Sequence, residues 1–397
     1  MKLHRSTTEA VVHALEAIFV QKKYADKVIE RILKQNPRWG ARDRRFIAET
    51  TYDVVRWYRW LLEIGEGQPN DFWKLIATYF RLHGVLLPPW NEFKDLNDAR
   101  LFQRQKEVEN IRKIRQSIPD WLDKLGEDEL GERWGEELAA LNNEAAVVLR
   151  ANTLKTTGEN LQQILHEEKV ETYTVPTFTD ALILKERQNV FRLKSFQDGL
   201  FEVQDAASQL VAPFLQIEPG IRVIDACAGA GGKTLHLASL MRNKGRLIAM
   251  DVEQWKLDEL QKRARRAGIS NMETKLIDSS KAVKRLAGSA DRLLLDVPCS
   301  GLGVLRRNPD AKWKLSEEFI DQVRQTQQNI LDQYSAMVKP GGLMVYATCS
   351  ILPGENEMQV RQFLSEQGND FDLVEEHHAW PSEGFDGFYM ARVKRKE

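Results

Sequence analysis

Cysteine is scarce: only Cys227, Cys299 and Cys349 occur among 397 residues. Three cysteines cannot complete a disulfide framework, and with no CxxC pair an all-cysteine zinc site is excluded as well. No metal is expected, and a reducing, cytoplasmic location follows from the same scarcity. No apolar run approaches the roughly 20 residues that a membrane helix needs, so no membrane association is expected. The best stretch for a leader, AVVHALEAIFV, is interrupted by His13 and Glu16 and reads as an amphipathic helix without a cleavage site. Internal repeats and low-complexity tracts are also missing.

What is present is ordinary in bulk and uneven in distribution. The chain is 42% hydrophobic and 29% charged, which suits a globular protein long enough for two or three domains. Its net charge of −1 conceals a gradient: residues 1–120 carry 22 Lys+Arg against 16 Asp+Glu, so +6, and the rest sums to −7. RWGARDRR (Arg38–Arg45) and RQKEVENIRKIR (Arg104–Arg115) concentrate the positive charge. A basic face can contact phosphates, although a solvated helix face has the same composition. Apolar residues recur at three and four in EAVVHALEAIF and DRRFIAETTYDVVRWYRWLLEI, and six of the ten tryptophans fall between Trp39 and Trp121. These patterns predict an all-helical domain over residues 1–122 with an aromatic core.

The acidic stretch Asp123–Glu137 changes the composition and is read as containing a boundary. From Ala146 the pattern is mixed: VVLRANTL as a strand, GENLQQILHEE as a helix, then strands through TYTVPT, ALILK and VFRL. Residues 123–200 are therefore read as a linker and a small α+β subdomain. Beyond Glu218-Pro219-Gly220 short β-rich runs (RVIDAC, RLIAMDV, METKLID, RLLLDVP, GLMVYATC) alternate with helix-like segments. Such alternation predicts an α/β domain over 201–397 with a mostly parallel sheet, and ligands in such sheets bind beyond the strands' carboxyl ends.

VIDACAGAGGKT (Val223–Thr234) is a strand, a glycine turn and a helix start, a geometry that brings backbone amides close to a ligand. A P-loop would need glycine where Cys227 stands, and the dinucleotide fingerprint lacks its third glycine. S-adenosylmethionine, whose carboxylate and sulfonium can sit against such a turn, is the third option, with Asp225, Cys227, Ala228, Gly229, Ala230, Gly231, Gly232 and Lys233 as candidate contacts. Asp251 lies 26 residues after Asp225 at the end of the next strand, where a carboxylate can accept ribose hydroxyls. Asp278 is placed for the adenine amine, and Asp296 ends the fourth strand. A lone aspartate at a strand end is usually a turn former; three in succession behind a glycine loop favour a nucleoside cofactor.

Cys299 and Cys349 lie 50 residues apart, but strands four and five should be neighbours about 4.8 Å apart. Free cysteines are often inert packing residues; these two sit past apolar runs, beside Pro and Gly turns at the ligand edge. Carbon 5 of a pyrimidine is a poor nucleophile. A thiolate adding to carbon 6 makes carbon 5 enamine-like and able to attack a methyl sulfonium, after which a base must remove the carbon-5 proton. A nearby positive charge would help to form the thiolate.

At these residues the chain resembles a known family. VQDAASQL (Val203–Leu210), DACAGAGGKT, DVPCSGLG, RRNPDAKW (Arg306–Trp313), YATCSILPGENE and DGFYMARVKRK together look like the Sun-type, RsmB-like 16S ribosomal RNA (cytosine-5)-methyltransferases. The resemblance covers roughly residues 146–395. It implies a class I S-adenosylmethionine-dependent fold, Rossmann-like with a seven-stranded sheet. By the family pattern Cys349 is the nucleophile, Cys299 assists product release, and Asp296 holds or protonates the base. An N-terminal domain similar to the antitermination factor NusB is also implied, with RNA, chiefly 16S ribosomal RNA, as partner and a monomer as the working expectation. Arg150, Lys155, Arg306 and Arg307 are candidates for RNA contact. The chain departs from the family's usual CAAPGGKT in having Ala230 where proline is expected. A DNA cytosine methyltransferase would use Cys299 as its attacker but lacks the second cysteine. An adenine-N6 enzyme would need an aromatic residue where Cys299 stands. The alternatives kept open are a non-catalytic ribosome assembly factor and cytosine-5 methylation of tRNA or another RNA.

Overall fold

The computed structural model describes residues 2–397. Its chain forms two compact units: one runs up to Asn143 and takes back Leu305–Glu317, and the other comprises Glu144–Val304 and Glu318–Glu397.

The first unit is helical. Its main helices are Arg5–Phe19, Ala25–Gln35, Ala41–Arg56 and Phe72–Leu82, followed by Asp98–Val108. Residues at helical spacing such as Val11, Leu15 and Ile18, or Ile47, Val54 and Val55, are fully buried in one cluster. Aromatic rings close that cluster, among them Phe19 stacked on Tyr58 at 4.1 Å between centroids. The acidic stretch does not end the unit. It folds as the helices Asp120–Leu130 and Arg133–Leu141, joined where the Trp134 indole donates to Asp123 at 2.9 Å. The two helices touch closely enough that a Cβ on Gly126 would fall 2.3 Å from the Trp134 ring.

The returning segment 305–317 is built into this unit. Trp313 donates from its indole to Val55 O at 2.7 Å, and Asp310 accepts from Ala25 N at 3.1 Å. Arg306 is buried, its Nε donating to Ala140 O at 2.8 Å while its own carbonyl accepts from Arg56. This corrects the expectation that Arg306 contacts RNA: its guanidinium is consumed inside the helical unit. Lys312 is 1% exposed, and Asn142 Oδ1 at 3.2 Å is its hydrogen-bond partner. Burial first, and the charge of Arg56 second, hold its ammonium well below the ordinary lysine range. Between the native and unfolded values the unfolded chain binds more protons, so this group makes stability rise with pH. Lys312→Met is expected to stabilise the protein by about 1–3 kcal/mol at pH 7. The gain should shrink as the pH approaches that of a free lysine, and denaturant titrations of both proteins at several pH values would show it. A less stable variant at pH 7 would sink the argument.

The second unit contains two sheets. The strands are β1 (Val148–Ala151), β2 (Thr172–Tyr173), β3 (Ala181–Leu184), β4 (Phe201–Val203), β5 (Arg222–Asp225) and β6 (Arg246–Asp251). They continue with β7 (Met272–Leu276), β8 (Ala290–Asp296), β9 (Val338–Thr348), β10 (Phe371–Ala379) and β11 (Phe388–Arg395). The small antiparallel sheet has the order β2-β3-β1-β4, with the helix Gly158–Glu167 packed on it. VFRL, expected as a strand, forms a single 3-10 turn at Val190–Arg192, and FEV supplies the fourth strand instead. The large sheet has seven strands in the order β10-β11-β9-β8-β5-β6-β7. The five from β5 to β9 are mutually parallel, and β11 alone is reversed, antiparallel to β9 on one side and to β10 on the other. Its central strands are apolar on both faces because helices cover both: Ile224, Leu293, Leu295 and Met344 face one cluster, and Val223, Leu294 and Val345 the other.

Candidate active site

The chemistry-bearing residues gather at the carboxyl end of the large sheet. β8 and β9 are adjacent and parallel, with Asp296 opposite Ala347, so the chain segments leaving them start side by side. β8 ends at Asp296 and β9 at Thr348, and the cysteines just past them meet: Cys299 Sγ lies 3.0 Å from Cys349 Sγ. Both are half-buried. The hydrogen bond to the Cys349 sulfur, then burial, pushes the Cys299 thiol well above the ordinary range.

Beside them β5 runs into the glycine turn. Gly229 and Gly231 adopt φ of 53° and 91°, in the left-handed region. A Cβ on Gly231 would strike Leu260 at 2.1 Å, whereas one on Gly229 would meet nothing within 4 Å. Gly231 is therefore favoured by its left-handed backbone, with a Leu260 methyl crowding the same point, while Gly229 faces open space. Asp225 ends β5 almost fully buried, with Oδ2 accepting from the Thr234 hydroxyl at 2.7 Å and Oδ1 without a partner. Burial, opposed by that hydroxyl and reinforced by Asp296, pushes Asp225 up to about 7. Asp251 accepts from Gly229 N at 2.8 Å and Glu253 N at 2.9 Å, so it also braces the turn. An orphaned carboxylate oxygen, an open left-handed glycine and the acids at neighbouring strand ends fit a cofactor carrying amino and hydroxyl donors. Cys227, in the same turn, is a half-buried thiol pushed up by its burial. Ala228 N pairs with Met250 O, and Ala230 O accepts from Arg263 at 2.6 Å. Arg263 thereby anchors the turn from outside where the family's proline is missing. Asp278 lies two residues past the end of β7, is exposed, and is bonded to the Ser279 hydroxyl.

Lys233 and Asp296 connect the turn to the cysteines. Lys233 Nζ donates to Asp296 at 2.7 Å and lies 5.0 Å from the Phe388 ring centroid. Burial works against the lysine charge, yet Asp296 and, more weakly, the Cys349 sulfur raise it on balance. A retained ammonium next to Cys349 is the positive charge that a thiolate needs.

Of the arginines and lysine expected at RNA, Arg150 requires correction. It lies in β1, 2% exposed, bonded to the Gln204 side chain and to Gly232 O at 2.7 Å, and its burial lowers it to about 10. Its work is to join the small sheet to the helix after the glycine turn. Lys155 is exposed, but its ammonium caps the carbonyls of Asp198 and Arg266, both at 2.7 Å. Arg307 is half-buried in the helical unit's returning segment.

Sequence reasoning missed Glu355, Gln327 and Gly387. Glu355 is fully buried between the two cysteine loops; a glutamate after Pro-Gly reads as a surface turn, so no local signal marked it. Gln327 sits in a long helix far from any motif and bonds Pro298 O at 2.9 Å.

Comparison with known proteins agrees with this geometry. Residues 212–394 match the family model for 16S rRNA methyltransferase RsmB/F, and residues 118–191 match the RsmF/B-like ferredoxin-like domain. The chain is 34% identical over 91% of its length to the probable ribosomal RNA small subunit methyltransferase B of Synechocystis, covering 87% of that protein. The chain belongs to the RsmB family. A Klebsiella pneumoniae ribosomal RNA small subunit methyltransferase B is also 34% identical, over 75% of the chain and 72% of the relative. The crystal structure of a methyltransferase homolog from Pyrococcus horikoshii superposes with a TM-score of 0.64 at 26% identity, covering 72% of this chain and 98% of that one. RsmB-family membership and the Rossmann-like sheet make this an S-adenosylmethionine-dependent RNA methyltransferase. Among the described residues no helix is long and apolar enough to cross a membrane.

Proposed function

We propose that the protein methylates carbon 5 of a cytosine in 16S ribosomal RNA through a covalent cysteine adduct. The observation that carries this reading is the contact of Cys349 and Cys299 at the ends of adjacent strands, beside a lysine that keeps its charge. Asp225, the turn from Cys227 to Lys233, Asp251 and Asp278 are the residues we assign to holding S-adenosylmethionine. Bound there, the cofactor supplies an electrophilic methyl group. Cys349 attacks carbon 6 as a thiolate, forming a C–S bond and making carbon 5 nucleophilic. Lys233 favours that thiolate by its charge, and Asp296 fixes Lys233 and faces the base. When carbon 5 has been alkylated its proton must leave so that the C–S bond can break. Cys299, whose sulfur touches the nucleophile's, is our candidate for accepting it, as a thiolate whose own proton has first passed to solvent. The target base must be unpaired or flipped to reach thiols that are only half exposed.

The RNA names carried by the relatives and the +6 charge of residues 1–120 support a ribosomal RNA substrate, with the helical and small α+β segments as its contacts and Lys155 and Arg307 among the residues involved. Incubation with methyl-labelled S-adenosylmethionine and transcribed 16S ribosomal RNA, followed by digestion to nucleosides, should yield 5-methylcytidine. Label in methyladenosine, or in tRNA but not 16S RNA, would overturn the reading in its chemistry or its substrate. A protein that labels no RNA would be an assembly factor.

A further inference from the structure

Two loops that come from different strands and lie 50 residues apart hold their sulfurs in contact. Flexible loops do not do so unaided, because fixing each costs about 1–2 kcal/mol per residue in backbone entropy. A common anchor is needed, and one side chain touches both. Glu355, 0% exposed, accepts from the Ser300 hydroxyl at 2.5 Å and from the Ser350 hydroxyl at 2.6 Å through one oxygen. Its other oxygen accepts from Ser300 N at 2.8 Å and from the Gln327 amide at 3.1 Å. Ser300 follows Cys299 and Ser350 follows Cys349, so both cysteine loops end on one carboxylate. Four donors converge on a group that, ionised, has four acceptor positions.

The arrangement is supported from behind. The same Gln327 amide reaches Pro298 O, just ahead of Cys299. Tyr346 donates to Glu355 O at 2.6 Å, and Asn356 accepts from the Thr348 hydroxyl at 2.5 Å, just ahead of Cys349. Each cysteine is thus bracketed, with the residue before it and the residue after it tied to Gln327, Glu355 or Asn356. Among the described residues no hydrogen bond joins Glu355 to either sulfur.

We propose that Glu355 is a positioning residue that sets the separation of Cys299 and Cys349 by clamping Ser300 and Ser350. The proposal rests on the reading of these cysteines as the reacting pair. Glu355→Gln keeps the size of the side chain but turns one of its acceptor oxygens into a donor facing donors, so the clamp loosens while the pocket stays filled.

The test needs a readout that simple loss of stability does not move. In glutathione redox buffers the pair closes by consuming one oxidised glutathione and releasing two reduced ones. The equilibrium, with the Cys299–Cys349 linkage quantified by mass spectrometry, gives the effective concentration of one thiol at the other. Glu355→Gln is expected to lower that concentration, and kcat for methyl transfer, by about tenfold or more, with KM for S-adenosylmethionine unchanged. Ser300→Ala and Ser350→Ala should each lower both less, and their double variant should match Glu355→Gln because all act through one carboxylate. An effective concentration and kcat within twofold of wild type in a folded Glu355→Gln protein would overturn the proposal. If that variant fails to fold, the serine variants decide: a wild-type effective concentration in both overturns it, and a lowered one in both upholds it. An active Cys349→Ala protein would instead defeat the catalytic reading, leaving the thiol equilibrium to judge the clamp by itself.

Discussion

Cys349→Ser loses methyl transfer, by on the order of 1,000-fold or more, and forms no protein–RNA adduct on a denaturing gel; this is the largest effect expected of any substitution. Serine keeps the volume but is not ionised near neutral pH, so no nucleophile reaches carbon 6. Cys299→Ser behaves differently. It retains the nucleophile and removes the group assigned to the final proton step, so the methylated RNA stays attached and a slow covalent band accumulates. The two expectations follow from the roles proposed for the pair, with the Lys233 charge beside the Cys349 sulfur. If the adduct appears with Cys349→Ser and vanishes with Cys299→Ser, the roles are reversed and the attack comes from the β8 loop. If both variants turn over like wild type, no covalent route operates.

The second large effect is expected at Gly303, where three backbones cross. Gly303 N donates to Cys349 O at 2.9 Å, and Gly387 N donates to Gly303 O at 2.7 Å. A Cβ at position 303 would lie 2.2 Å from Gly387 O and 2.8 Å from Cys349 O, both backbone atoms that no rotamer change can move aside. Gly303→Ala must therefore displace the loop that carries Cys349. Overpacking of this kind costs about 1–3 kcal/mol. A shift of about 1 Å at the reacting group costs about 100-fold in rate. Thermal unfolding and single-turnover assays should show both losses together. A variant with wild-type melting and wild-type rate would mean that the loop yields without moving Cys349. The reason here is steric crowding, not a left-handed backbone, so serine should be no better than alanine.

The site was legible where chemistry imposes a residue type beside a strand end. Asp225, the glycine turn, Asp251, Asp296, Cys299 and Cys349 were each visible because an apolar run broke at a polar or turn residue, and the parallel order of the sheet brought them to one edge. The acidic stretch was ambiguous because charge marks a solvated helix face as readily as a linker; it folds as two helices in which Trp134 and Asp123 pair inside. Arg150 and Arg306 misled for the opposite reason. An arginine is normally exposed, and only knowledge of the carbonyls around it shows that it is buried and satisfied. VFRL had strand composition but found no ladder partner.

By itself the sequence determined the sheet's alternating order, the helical character of the first domain, the glycine turn and the identity of the two thiols. These depend on local periodicity and on residue types that few chemistries can replace. Tertiary structure alone decided that the sulfurs meet, that Lys233 pairs with Asp296, that Glu355 ties both cysteine loops together, and that segment 305–317 returns to the helical unit. All four are contacts between residues at least 50 positions apart or buried without a local pattern. Such contacts form only once the packed core has paid the entropy of closing the chain between them.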